Sequence, residues 1–451
     1  MPVLLLFAFL ILLAPCATSE ESDPPAAASG NEIPRTEPVE EPIVAAEPEP
    51  EPEPEPPDTP LERELLRVHS RITPAVATHL RGLAESSELQ NNIFAKMGGS
   101  SIESRAYLHC LGSDRNLDLG GREEFAETLA YFREGRIGRR GNPFRRESLA
   151  AQKGWSLRQG LTGRPSRAIQ EIRASRARYA LTLFGGNDVQ ARNPQRFGER
   201  LEQLLESLVE RGVIPILGAT SPRGDDEAMD DWAKRYNRVS RGIARAWKLP
   251  YIDFYLAMEE LPGRGLAGDG VHSNVLLVEG RGRACVFTEE GLARGMNMRN
   301  LRTLESLHRL RQVVDGAEPP DEDPPAHYGE GTAVVPLRVA RAPFAEHVSA
   351  NELTSTLANY SCEEATDASG PERVVRLRIE ETTSLWLGSL ARRGTARVYV
   401  LDGDVADPSR CIATGDALEV TLEPGVHHIV FELTSNREDA TLTSMIDFAE
   451  L

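Results

Sequence analysis

The sequence predicts an α/β unit, a parallel sheet with helices on both faces, followed by a small antiparallel β-sandwich or jelly roll. Three observations carry this. Between about residues 61 and 316, short apolar runs of strand length alternate with segments whose apolar residues recur at helical spacing, the signature of βαβ units. An acidic, proline-rich break follows, Glu318-Pro319-Pro320-Asp321-Glu322-Asp323-Pro324-Pro325, within a linker of 317–334. From residue 335 to 451 the period changes to two, as in half-buried strands.

In the first unit, Ile93–Met97 reads as a strand running into the loop Gly98-Gly99-Ser100-Ser101. Glu147–Ala151 reads as a second strand leading to Gly154, and Tyr179–Phe184 as a third ending at Gly185-Gly186-Asn187-Asp188. Leu201, Leu204, Leu205, Leu208 and Val209 mark one face of a helix that Gly212 stops, and Val213–Leu217 is the next strand. Trp232, Tyr236, Val239 and Ile243 mark another helix, Tyr251–Asp253 another strand, and Leu301, Leu304, Leu307 and Leu310 a closing helix. In such sheets the site lies at the carboxyl ends of the strands. In the second unit, Val375, Leu377 and Ile379 alternate with Arg376 and Arg378; Ala396–Leu401, Leu418–Leu422 and His428–Leu433 read as further strands.

The amino terminus reads as an export signal. Residues 3–13 are an apolar run of 11, too short to span a bilayer. Processing near residue 17 is one route; lipidation of Cys16, in Leu13-Ala14-Pro15-Cys16, is the other, and it would be the one membrane attachment. Residues 18–60 form an acidic Pro-rich tether that buries nothing. From Glu20 to Asp58 there are 13 acidic residues against one arginine, −12 of the formal −18. The rest is only mildly acidic, which argues against a nucleic-acid surface.

The stretch Gly268-Asp269-Gly270-Val271-His272-Ser273-Asn274 carries the first chemical signal. An Asp three residues before a His lets one turn supply a carboxylate that fixes the imidazole tautomer and a ring nitrogen free to take a proton from a hydroxyl. Alone, the pair is also what a solvated surface turn contains. A nucleophile must come from upstream, and Ser100 follows a strand; Ser101 is its neighbour in register. Asp188 reads as a structural acceptor. The eight other histidines have no partnered spacing; the arginines 133, 136, 139, 140, 145 and 146 read as a solvated loop, with a surface that greets an anionic substrate as the alternative.

Taken in order, these loops resemble the blocks of the SGNH/GDSL hydrolases, over about Ile93–Val314. Phe94–Ser100 stands where the family's Gly-Asp-Ser block lies, with Gly99 in place of the Asp; Gly154 fits the second block, Gly185–Asp188 fits Gly-x-Asn-Asp, and Asp269–His272 fits Asp-x-x-His. The resemblance implies a flavodoxin-like sheet and a serine esterase without cofactor or metal. Ser100 is then the nucleophile, His272 the base and Asp269 its partner, with an oxyanion hole from the Ser100 and Gly154 N–H groups and the Asn187 amide. The expected substrate is a small-molecule or polysaccharide ester, acetyl or another short acyl group. The alternatives are a decayed hydrolase that only binds, and a lipase or phospholipase of the same fold.

Four cysteines remain after Cys16, and three pairings are open. The domain split favours Cys362 with Cys411, leaving Cys110 with Cys285. The C-terminal unit is similar to bacterial pre-peptidase C-terminal domains in Tyr360-Ser361-Cys362, Ser369–Glu372 and Leu422–Gly425. That likeness implies a non-catalytic module contacting a cell surface or glycan.

Overall fold

The run around Ile93–Met97 forms β1 (Gln90–Gly98), whose last six residues are all buried, as an unbroken apolar run in a parallel sheet requires. The computed structural model describes residues 67–138, 141–324, 327–340, 342–362 and 369–449. The leader, Cys16, the acidic tether, Arg139 and Arg140 lie outside the described residues.

Helix α1 (Pro74–Glu85) precedes β1 and is opened by Thr73, whose hydroxyl accepts from the Val76 N–H. Helices α2 (Ser100–Glu103), α3 (Ala126–Glu134), α4 (Leu157–Gly160) and α5 (Arg167–Ser175) lie between β1 and β2 (Ala177–Leu183). Then come α6 (Pro194–Val209), β3 (Ile214–Gly218), α7 (Glu227–Ala246), β4 (Tyr251–Ile252) and α8 (Phe254–Glu259). A short hairpin, β5 (Leu277–Val278) and β6 (Arg281–Gly282), leads to α9 (Glu289–Leu292) and α10 (Gly295–Val314). The sheet is parallel throughout, in the order β1-β2-β3-β4. On α6 the expected Leu201, Leu204, Leu205 and Leu208 are buried, and Gly212 beyond it has φ +70°, the left-handed stop that favours glycine.

One expected strand is corrected. Glu147–Ala151 forms no strand and touches the free side of β1 at a single parallel bridge, Gly98 with Ala151. The reason is competition: the Leu149 N–H donates to Glu171 Oε2 and the Ala150 N–H to Ser148 Oγ, so side chains take the donors a ladder would use.

The second unit is a two-sheet sandwich. Strands β7 (Leu337–Val339), β8 (Phe344–Ser349), β9 (Glu372–Ile379), β10 (Thr383–Arg392), β11 (Thr395–Asp402), β12 (Cys411–Gly415), β13 (Ala417–Leu422), β14 (Gly425–Thr434) and β15 (Thr441–Phe448) make it up. One sheet runs β13-β10-β15-β8, the other β12-β11-β14-β9-β7, antiparallel except for β7 with β9. Val375, Leu377, Leu385, Leu387, Val400, Ile429 and Phe431 fill the space between them. Both disulfides form as the domain split suggests, Cys110–Cys285 and Cys362–Cys411.

The sandwich also shares a core with the α/β unit. Trp386, Leu390 and Met445 belong to the same apolar cluster as the parallel sheet. A Cβ on Gly242 of α7 would lie 2.6 Å from Met445 Sδ, and one on Gly198 of α6 2.9 Å from Leu390 Cδ1. Glycine is what lets the sheet lie so close to the helices. The linker is anchored too: Asp321 accepts from the Ile72 N–H and pairs with Arg309.

Candidate active site

The loops at the carboxyl ends of β1, β2 and β3 converge on one cavity of about 100 Å³. Ser100 opens α2 directly after β1, where a Cβ on Gly98 would meet the Leu183 carbonyl at 2.5 Å. Ser100 Oγ lies 3.0 Å from His272 Nε2, and His272 Nδ1 lies 2.7 Å from Asp269 Oδ2. The other carboxylate oxygen, Asp269 Oδ1, accepts from the Val271 and His272 backbone N–H groups at 3.0 Å each. These donors, first the His272 N–H, then its ring and the Val271 N–H, hold the Asp269 carboxyl well below the ordinary carboxylate range. Asp269 is therefore ionised, and its side chain stays half-exposed.

The turn carrying the pair is fixed from both sides. Gly270 has φ +66°, and a Cβ there would come within 2.6 Å of the Asp225 nitrogen; its carbonyl accepts from the Gly224 N–H. Asn274 spans the other side, donating to the Leu266 carbonyl and accepting from the Gly295 N–H. Ser101 also lines the cavity, but the bond to His272 is made by Ser100.

Asn187 lines the cavity, and its Nδ2 donates to the Trp155 carbonyl at 2.9 Å. That bond uses one of the two amide N–H groups and fixes which way the amide faces. The loop beneath is held by Asp188, which is buried and accepts from the Leu157 and Gly185 N–H groups, as a structural acceptor should. Gly154 stands at φ +79° in an exposed turn; its neighbour Trp155 is the residue of that turn that lines the cavity. A Cβ on Gly99 would lie 2.8 Å from Asn187 Nδ2 and 2.9 Å from the Trp155 carbonyl. The departure from the family's Asp at this position is thus a matter of space, since the Gly99 φ of −92° is open to any residue.

Several lining residues carried no sequence signal, Trp155, Arg223 and Arg299 among them. Arg223 makes a two-pronged pair with Asp225 at 2.8 and 2.6 Å. The arginine run is corrected in part: Arg133 donates to the Leu111 carbonyl, Arg145 to Ser113, and Arg146 pairs with fully buried Glu171. Arg133 and Arg146 are half-buried and brace the loops after α2, whereas Arg136 and Arg145 stay exposed, as a solvated loop would leave them. Among the described residues, no group of three or more His, Cys, Asp or Glu side chains stands where it would hold a metal ion.

The sequence profile of the GDSL-like Lipase/Acylhydrolase family matches residues 131–276. That segment includes Gly154, Asn187, Asp269 and His272 and stops short of Ser100. No curated protein sequence matches the chain. An acetylxylan esterase from Geobacillus stearothermophilus is similar in structure, at 16% identity and TM-score 0.32, over 49% of this chain and 94% of that one. So is a GDSL-like lipase from Bacteroides thetaiotaomicron, at 15% identity and TM-score 0.31, over 51% and 98%. A G-D-S-L family lipolytic protein from Veillonella parvula follows at 17% and TM-score 0.30, over 47% and 96%. Residues 131–276 of the α/β part match the GDSL-like lipase/acylhydrolase family, whose members are hydrolases that act on ester bonds.

Proposed function

We propose that the protein is an exported serine esterase that hydrolyses short-chain carboxylic esters, acetyl esters of small molecules or polysaccharides among them. The observation that carries this is the unbroken line of contacts from Ser100 Oγ through both nitrogens of His272 to Asp269. Ser100 Oγ attacks the ester carbonyl while His272 Nε2 takes its proton. Asp269 stabilises the imidazolium, which then gives the proton to the leaving alcohol. Water repeats the sequence on the acyl-enzyme. The second Asn187 N–H and the Ser100 backbone N–H are the donors for the oxyanion, each worth ~100–1,000-fold in rate; Gly154, the third donor expected from the sequence, is not among the residues that line the cavity.

The cavity of about 100 Å³ favours a short acyl group over a fatty chain. Export is supported by the apolar leader and by two disulfides, bonds that persist in oxidising compartments. Anchoring through Cys16 and surface contact by the sandwich are further parts of the same proposal. The test is hydrolysis of p-nitrophenyl acetate by the wild type, Ser100→Ala and His272→Ala. Both variants are expected to fall to near background; equal rates in all three overturn the reading, as does failure of a fluorophosphonate to label Ser100.

A further inference from the structure

The cavity around Ser100 contains a buried cation that no carboxylate among the described residues neutralises. Arg299, in the first turns of α10, is 3% exposed and lines this cavity. Its guanidinium lies 4.9 Å from the centre of the Phe254 ring and 5.6 Å from that of Tyr107. Nη1 reaches only Ser273 Oγ, at 3.5 Å, and Nε has no acceptor. Among the described residues no carboxylate pairs with it, and burial pulls its pKa below the ordinary arginine value, opposed only by the Tyr107 phenol.

The other arginines packed into the interior each have a carboxylate or several strong acceptors, although Arg238 Nε is itself unpartnered. Arg178 donates to Asn91, to Ser87 and to four backbone carbonyls. Arg238 pairs with Glu419, Arg241 with Asp447 and Asp253, and Arg223 with Asp225. Aromatic faces attract a cation but accept none of its directed hydrogen bonds, and a fork of five donors matches one kind of group best, a carboxylate.

We propose that Arg299 receives a carboxylate at the far end of the substrate's acyl group, so that half-esters of short dicarboxylic acids are preferred over neutral esters of the same length. This deepens the esterase reading and rests on it. The acyl side is favoured because Arg299, Leu183, Phe184 and Ala219 line the cavity and are all buried. The alcohol must leave towards solvent, whereas the acyl group stays bonded to Ser100. A cavity of about 100 Å³ accommodates an acid of a few carbons. Covalently nothing changes: the Ser100 Oγ–acyl bond forms as the ester C–O bond breaks. The hydroxyl proton passes through His272 to the departing alcohol, and Arg299 keeps all its protons throughout.

The test compares ethyl hydrogen succinate with its neutral isostere, ethyl 4-oxopentanoate, by ethanol release, each rate divided by that ester's hydroxide-catalysed rate. Wild type is expected to favour the succinate by about tenfold or more in kcat/KM. Arg299→Met should abolish the preference by raising KM for the anionic ester only, with Arg299→Lys restoring part of it. Equal normalised rates in wild type overturn the proposal, and that arm needs no variant to fold. So does a preference that Arg299→Met leaves intact, or one for an anionic alcohol half, read with carboxymethyl acetate against ethyl acetate. Hydrolysis of 4-oxopentanoate without discrimination sinks this proposal alone. An inert wild type indistinguishable from Ser100→Ala sinks the esterase reading beneath it.

Discussion

Replacing Asp269 by Asn separates two roles that its carboxylate plays towards His272. Asp269 Oδ1 accepts two backbone N–H groups at 3.0 Å, while Oδ2 faces His272 Nδ1 at 2.7 Å. In Asp269→Asn the amide oxygen must keep the Oδ1 place, because turning the NH2 there would set donor against two donors. The NH2 then occupies the Oδ2 place and points a donor at Nδ1. The ring responds by carrying its proton on Nε2, and a protonated Nε2 cannot take the Ser100 proton. The side chains of Asp269 and His272 are 52% and 45% exposed, so loss of the charge pair alone is worth only about 1 kcal/mol. The wrong tautomer dominates, and kcat is expected to fall by about 10⁴, equivalent to about 5.5 kcal/mol. Asp269→Ala presents no donor, leaves the tautomer free, and should retain more activity than Asn although it is the larger truncation. Steady-state kinetics on p-nitrophenyl acetate decide it; Asn outperforming Ala would refute the argument.

Restoring the family's residue by Gly99→Asp should lower kcat by about 100-fold or more with little change in melting temperature, since its Cβ would displace the Asn187 amide; activity at or above wild type would count against it. Burial pushes Glu202 up from 4.5 to about 7, so the folded chain holds a proton the unfolded chain has released. Wild type therefore loses about 3 kcal/mol as pH rises through this range. Glu202→Gln should gain stability over wild type at pH 8 relative to pH 5, read by thermal melts, and a pH-independent difference contradicts the assignment. Opening Cys110–Cys285, which closes a loop of 175 residues, by double substitution with Ser should cost about 5 kcal/mol in the chain-entropy treatment. An unmoved urea midpoint would show that the bond constrains nothing.

How much of this was legible depends on whether the signal is local. The strand before Ser100, the turn around Asp269 and the alternation of β9 depend on near neighbours and read directly. Strands β10 and β15 did not, because six consecutive residues in each are buried. Their inner faces meet the sandwich core and their outer faces meet α6 and α7, so no period of two survives. In β15 the buried residues include Thr443, Ser444 and Asp447, which in sequence read as surface. Arg299 was hidden likewise: it stands before Leu301, Leu304 and Leu307 in a helix whose charged residues look solvated. Only the approach of Phe254, Tyr107 and Ser273, 26 to 192 residues away, isolates it.

The burial of β10 and β15 on both faces also bears on what the sandwich does for the site. Arg241 of α7 lies between Asp447 of β15 and Asp253, and Asp253 caps α8 by accepting the Leu256 N–H. The next residue, Phe254, supports the Arg299 guanidinium from one side and approaches Gly218 at the end of β3 from another. Glu202 of α6 likewise accepts from Trp247 within the α/β unit and from Thr443 of the sandwich. Removing β15 would leave Glu202 short of a hydrogen-bond partner and Arg241 short of a counter-charge, and a buried polar or charged group without its partner is costly. It would also uncover the faces that Trp386, Leu390 and Met445 fill. The proline-rich segment therefore marks a change of architecture and not a break in packing. The sandwich completes the core that positions α7, α8 and the floor beneath Ser100.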